Sequence, residues 1–153
     1  MMDITLYVTM DLPLAQLRDH LNRFPDKTPI DLTIGIPVRL NFVLFKGRDY
    51  DTAPYQLPEG IVSWSWAVDH DFDRTTSPLM EGDNAQIEVV TSDTETRIKV
   101  PNTVYSTALS EMLGKKSHVD GFIGELDGYD ADGNCTFCLQ VPNIAVWNRI
   151  AGD

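Results

Sequence analysis

Apolar and polar residues alternate with a period of two in most of the patterned stretches of this chain, and that period marks half-buried strands. The longest such pattern lies in the last quarter. Residues 125–150 form two strand-like runs around the turn cluster Tyr129-Asp130-Ala131-Asp132-Gly133-Asn134, where Asp caps turn geometry and Gly133 can take a positive φ. In the return run Cys135, Phe137, Leu139 and Val141 share one face, and Thr136, Cys138 and Gln140 share the other. Residues 62–68 alternate almost as cleanly, with Val62, Trp64, Trp66 and Val68 on one side. Residues 4–9, 30–32, 38–45 and 119–126 supply further strands, and residues 86–90 and 96–100 predict a hairpin around Ser92-Asp93-Thr94-Glu95. Gly35 and Pro37 predict a bulge or a crossing between sheets.

Helical spacing occurs twice. Asp11 can cap a segment with Pro13 in its first turn, apolar positions Leu14, Leu17, Leu21 and Phe24, and Pro25 as its stop. Asn102 or Thr103 can cap a second, which presents Val104, Ala108, Leu109 and Met112 on one face and ends at Gly114. Residues 46–60 and 69–84 are polar, rich in turn formers, and read as long loops. The sum is a mainly β fold: an antiparallel β-sandwich, immunoglobulin-like or of jelly-roll type, with about eight strands and two short helices as crossovers. With no internal repeat, low-complexity tract or linker, residues 1–153 read as one domain.

Charge narrows the partners. Twelve basic residues against twenty-three acidic give a net charge of −11, a surface that repels phosphate backbones and anionic membranes. Neither nucleic acid nor a membrane is expected as a partner; the acidity serves solubility. No stretch reaches the roughly 20 apolar residues of a membrane helix, and the N-terminus lacks the basic and apolar regions of a secretory signal. Two cysteines make no disulfide framework, which fits synthesis in the cytoplasm.

Four features invite a chemical reading. Cys135-Thr-Phe-Cys138 is formally a C-x-x-C, but inside a strand its side chains should point to opposite faces; one pair does not complete a zinc site, and His20, His70 and His118 show no pairing pattern. Asp127, Asp130 and Asp132 with Gly133 fail the EF-hand pattern, because the loop would begin at Gly128 and end at Leu139. Asp69, Asp71 and Asp73 are the densest acidic cluster, able in principle to meet a metal or act as acid and base, though such residues more often blunt a strand edge. Trp64 and Trp66 are either the centre of the core or a flat apolar platform, and Trp147, opposite Ile144, Val146 and Ile150, is the better candidate for an exposed contact. Neither a catalytic constellation nor a cofactor is expected.

Several stretches together resemble small β-sandwich modules of tailed-phage and prophage structural proteins. They are Ile34-Gly-Ile-Pro-Val-Arg-Leu-Asn-Phe, Ser63-Trp-Ser-Trp followed by Asp71-Phe-Asp73, Asn102-Thr103, Gly124-Glu-Leu-Asp-Gly-Tyr-Asp-Ala-Asp-Gly and Val146-Trp-Asn-Arg-Ile150. Their spacing and turn chemistry are similar to the N-terminal immunoglobulin-like domain of upper baseplate or tail-fibre proteins. The resemblance implies a non-catalytic, particle-associated module that packs against copies of itself or attaches a larger appendage, so a homo-oligomer is expected. The alternative is a carbohydrate-binding sandwich that stacks sugars on Trp64, Trp66 or Trp147 and uses Asp69, Asp71 and Asp73 as hydroxyl acceptors.

Overall fold

Alternation becomes strand wherever the sequence carries it. The computed structural model describes residues 1–9, 16–17, 30–46, 53–70 and 77–149. Its strands are β1 (Met2–Thr9), β2 (Gln16–Leu17), β3 (Ile30–Thr33), β4 (Val38–Phe45), β5 (Ser63–His70), β6 (Met80–Gly82), β7 (Glu88–Thr91), β8 (Thr96–Tyr105), β9 (His118–Tyr129) and β10 (Cys135–Trp147). One α-helix, α1 (Thr107–Leu113), is present among the described residues, with a single 3-10 turn at Asn84–Gln86.

These strands pair in the order β2-β1-β4-β8-β6-β5-β9-β10-β3, and β7 lies beside the first half of β8. The fold is mainly β, as the periodicity predicts. The sheet, however, is mixed and continuous rather than antiparallel. β1 runs parallel to β4, with Ile4 opposite Leu40, and β3 runs parallel to β10, with Ile30 opposite Ile144. The sheet curls until β2, at one end of the path, approaches β10, near the other.

The core fills the concave face. Val38, Leu40, Phe42 and Leu44 of β4, Ile98 and Val100 of β8, and Trp66 and Val68 of β5 point inward. They meet Phe122 and Leu126 of β9 and Phe137, Leu139, Val141, Ile144 and Val146 of β10. Phe42 and Trp66 touch with ring centroids 5.7 Å apart, although two strands separate β4 from β5 in the sheet order. Leu109 and Leu113 of α1 are buried at the end where β8 passes into β9. Tyr55, Leu57 and Ile61 pack on the core from the segment that leads into β5.

A buried polar chain crosses this interior. Trp66 Nε1 donates to Asn102 Oδ1 at 2.8 Å, Asn102 Nδ2 donates to the Tyr105 hydroxyl at 3.4 Å, and that hydroxyl donates to the Ile36 carbonyl at 2.8 Å. Burial raises the Tyr105 phenol above its ordinary pKa, which keeps it a donor. Asn84 Oδ1 accepts from the Trp66 backbone N–H at 3.1 Å, so the 3-10 turn stands in for a strand partner at the point where β6 gives way to β7.

Four further expectations need correction. The predicted first helix falls largely on residues outside those described, but within it Gln16–Leu17 is strand, paired antiparallel with β1. The second helix starts later: Asn102 and Thr103 belong to β8, and Ser106 is the cap, accepting from Leu109 N–H at 3.1 Å. Pro101 sits where β7 has ended along β8 and β6 has not yet begun, so the strand continues past it. The loop read over 69–84 contains β6, too short to show a period. In β10, Cys135 does not share the face of Phe137, because an irregularity at Thr136 shifts the register.

Candidate functional site

The terminal hairpin turns as its residues require. Asp130 Oδ1 accepts from the backbone N–H groups of Asp132 and Asn134 at 3.0 and 2.9 Å, and Gly133 takes φ 83°. Pairing then begins with Tyr129 opposite Cys135, while Gly128 lies opposite Phe137 and Asp127 opposite Cys138. Thr136 is the extra residue of a β-bulge. The bulge puts both cysteines on the outer face, against the expectation that they diverge.

Three strands supply that face. Across β5, β9 and β10 the rows are Ser63-Tyr129-Cys135, Ser65-Asp127-Cys138 and Ala67-Glu125-Gln140. The side-chain ligand atoms of Glu125, Asp127 and Cys138 lie within 4.8 Å of one another, and all three residues are half-buried. The Cys135 thiol, on the same face one row away, donates to the Phe137 carbonyl at 3.2 Å. Gln140 Nε2 donates to Glu125 Oε1 at 3.2 Å, and the Tyr129 hydroxyl reaches Asp127 Oδ2 at 3.5 Å.

The electrostatics follow from crowding acids on a partly dry surface. Burial, and then the Glu125 carboxylate, push Asp127 up to about 6. Burial and the neighbouring Asp127 push the Cys138 thiol up to about 12, and burial likewise raises Cys135. Thiols in such a field are protonated at neutral pH and make poor nucleophiles, which argues against thiol–disulfide catalysis. The Cys138 thiol and the Glu125 and Asp127 carboxylates facing one another form instead a donor set for a cation.

The residues singled out from the sequence are dispersed. Trp66 is 1% exposed and belongs to the core. Trp64 is half-buried, edge-on to Phe137 with centroids 5.4 Å apart. Trp147 is exposed, stacked on His118 with centroids 4.3 Å apart, and its Nε1 donates to Asp31 Oδ1 at 2.8 Å. Asp69 Oδ1 accepts from the His70 backbone N–H at 2.8 Å, while Asp71 and Asp73 lie outside the described residues. A groove of about 530 Å³ between the segment before β5 and the β7–β8 turn is lined by Tyr55, Leu57, Glu59 and Asp93 among others, and by none of these candidates.

Glu125 and the pairing of Asp127 with Cys138 escaped sequence reasoning, yet one signal pointed to them. Counting outward from the turn without a bulge places Asp127 beside Phe137, a mismatch that one extra residue in β10 removes. Among the described residues no helix is long and apolar enough to cross a membrane. No protein-family model matches the chain, and no curated protein matches it.

Proposed function

We propose that this chain is a non-catalytic structural module that works through protein–protein contact, of the kind that assembles tailed-phage or prophage tails and baseplates. The observation that carries the contact reading is Trp147. Its indole is exposed at 38%, yet it is fixed by the hydrogen bond to Asp31 and by the stack on His118. A large aromatic held rigid before binding loses little entropy when a partner covers it, which is why Trp recurs as an interface anchor. It also stands next to β3, the terminal strand of the sheet path. The particle setting rests on the resemblance in segment spacing alone, and self-association is the mode proposed for it.

Light scattering over a hundredfold range of concentration tests the reading. A closed oligomer is expected, with Trp147→Ala shifting its dissociation by about thirtyfold, the effect of a 2 kcal/mol anchor. A strict monomer at every concentration overturns self-assembly.

One specific observation favours a second reading, glycan binding. The exposed indole has polar neighbours, Asp31 and His118, able to meet sugar hydroxyls. With Trp66 inside the core, this reading rests on Trp147. A change in tryptophan emission against a sugar panel, lost in Trp147→Ala, is its signature.

A further inference from the structure

We propose that the outer face of β5, β9 and β10 is a binding site for a borderline divalent transition cation of the zinc type, held by Cys138, Asp127 and Glu125. This stands apart from the contact reading and does not depend on it.

The geometry comes first. Zinc binds thiolate sulfur at about 2.3 Å and carboxylate oxygen at about 2.0–2.2 Å, so tetrahedral ligand atoms sit about 3.3–3.8 Å from one another. The three atoms of Glu125, Asp127 and Cys138, already within 4.8 Å, need only small side-chain rotations to close on an ion. Cys135 stands one row away on the same face with its thiol donating to the Phe137 carbonyl at 3.2 Å, so the fourth position is left to solvent.

The scaffold comes next. The donors stand on paired strands rather than on a loop, and the bulge at Thr136 is what sets Cys138 opposite Asp127. Around them is an outer layer that orients the carboxylates. Gln140 holds Glu125 at 3.2 Å, Tyr129 reaches Asp127 at 3.5 Å, and Ser65 Oγ meets the Tyr129 hydroxyl at 3.5 Å. Metal sites depend on such supporting contacts.

Donor chemistry then selects the ion. A sulfur among the donors disfavours calcium and magnesium, which take oxygen ligands. Two carboxylates on one half-buried strand repel, and a dication between them offsets that repulsion. Binding needs no oxidant: the metal–sulfur bond replaces a sulfur–hydrogen bond, and the proton leaves to solvent.

Cobalt(II) reads the site directly. The full-length chain, reduced with a phosphine and stripped of metal, is titrated with cobalt(II) while thiolate-to-cobalt charge-transfer absorption is followed. Saturation at one equivalent is expected, with zinc(II) abolishing the band. Changes to supporting residues alone cost metal sites ~10–100-fold, so Cys138→Ser, Asp127→Asn and Glu125→Gln should each weaken binding by more than about 100-fold. Cys135→Ser, one row away from the donors, should keep the band. Far-UV circular dichroism identifies any variant that fails to fold, and the three ligand variants are read against one another. A wild-type chain without a thiolate band overturns the proposal. So does a band unchanged in Cys138→Ser, or saturation only after several equivalents.

Discussion

The six-membered ring of Trp66 lies over Gly124: a Cβ built at position 124 would stand 2.2 Å from Cη2 and 2.7 Å from Cζ2 of the indole. Gly124 is on the inward phase of β9, where a large side chain would ordinarily be expected, and the neighbouring strand's tryptophan fills the space instead. Trp66 has no room to yield, because its Nε1 is tied to Asn102 and its backbone N–H to Asn84. Gly124→Ala should therefore destabilise by about 3 kcal/mol, at the upper end of ordinary overpacking. The urea midpoint should fall with an unchanged slope. Because the clash is with one ring, Trp66→Phe combined with Gly124→Ala should cost less than the sum of the two changes. Strict additivity would mean that the ring is not what excludes the methyl group.

Asn102 is the junction of the buried polar chain, 0% exposed between Trp66 and Tyr105. Its replacement by Ala strands the indole N–H without an acceptor and leaves a cavity. The expected loss is about 2–4 kcal/mol, from an unsatisfied buried donor and lost packing together. Thr103→Ala, at the next position of β8 and only half-buried, should cost less than about 1 kcal/mol. Thermal melts of the two variants side by side check the contrast; equal shifts would remove Asn102 from its role.

Acid should loosen the contact between β1 and β4. Asp3 lies opposite Arg39 in the parallel register, and its Oδ1 accepts from Arg39 Nε at 2.7 Å and Asn41 Nδ2 at 3.3 Å. Those hydrogen bonds, that from Arg39 above all, hold the carboxyl below its ordinary value of 3.8. A carboxyl with a depressed folded-state pKa stabilises the fold above its unfolded value, and the benefit fades as pH falls through the folded value. Wild type and Asp3→Asn should differ in urea midpoint at pH 6 and converge toward pH 2. Salt should narrow the difference at pH 6, since both side chains are exposed. A gap that persists undiminished at pH 2 would assign it to something other than this carboxylate.

Much of the fold was legible because strand period and turn chemistry are local. The hairpin at Asp130–Gly133 needed only an Asx acceptor and a glycine at positive φ, both visible as letters. The parallel pairings of β1 with β4 and of β3 with β10 were not legible, since nothing local to a strand names a partner so far along the chain. The same limit hid the candidate cation site. Glu125 and Asp127 look like the solvent phase of an ordinary strand, and only the register across two neighbours shows that they face Cys138. The short strand β6 failed for a different reason: three residues are too few to display a period.

Helix α1 offers a test of local chemistry where the sequence reading placed the cap too early. Asn102 and Thr103 both suit the N-cap by residue type, but the pairing of β8 with β4 and β6 holds them in extended backbone. The helix begins after Ser106, the last residue to pair, whose N–H bonds the Leu79 carbonyl at 3.0 Å, whose backbone is extended and whose hydroxyl accepts from Leu109 N–H. Gly114 then closes the helix with φ 51° and an N–H bonded to the Ser110 carbonyl. With only seven residues, α1 has little stability of its own and depends on this cap and on buried Leu109 and Leu113. Ser106→Ala should cost about 1 kcal/mol, and Ser106→Asp, which keeps the acceptor and adds charge favourable at a helix start, should cost less. Amide exchange gives the sharper readout. In Ser106→Ala the Leu109 amide should lose protection by about fivefold relative to the strand amides, the local equivalent of that 1 kcal/mol. If Leu109 instead exchanges in step with β8 and β9, the cap contributes to the whole fold rather than to the helix, and α1 opens only when the sheet does.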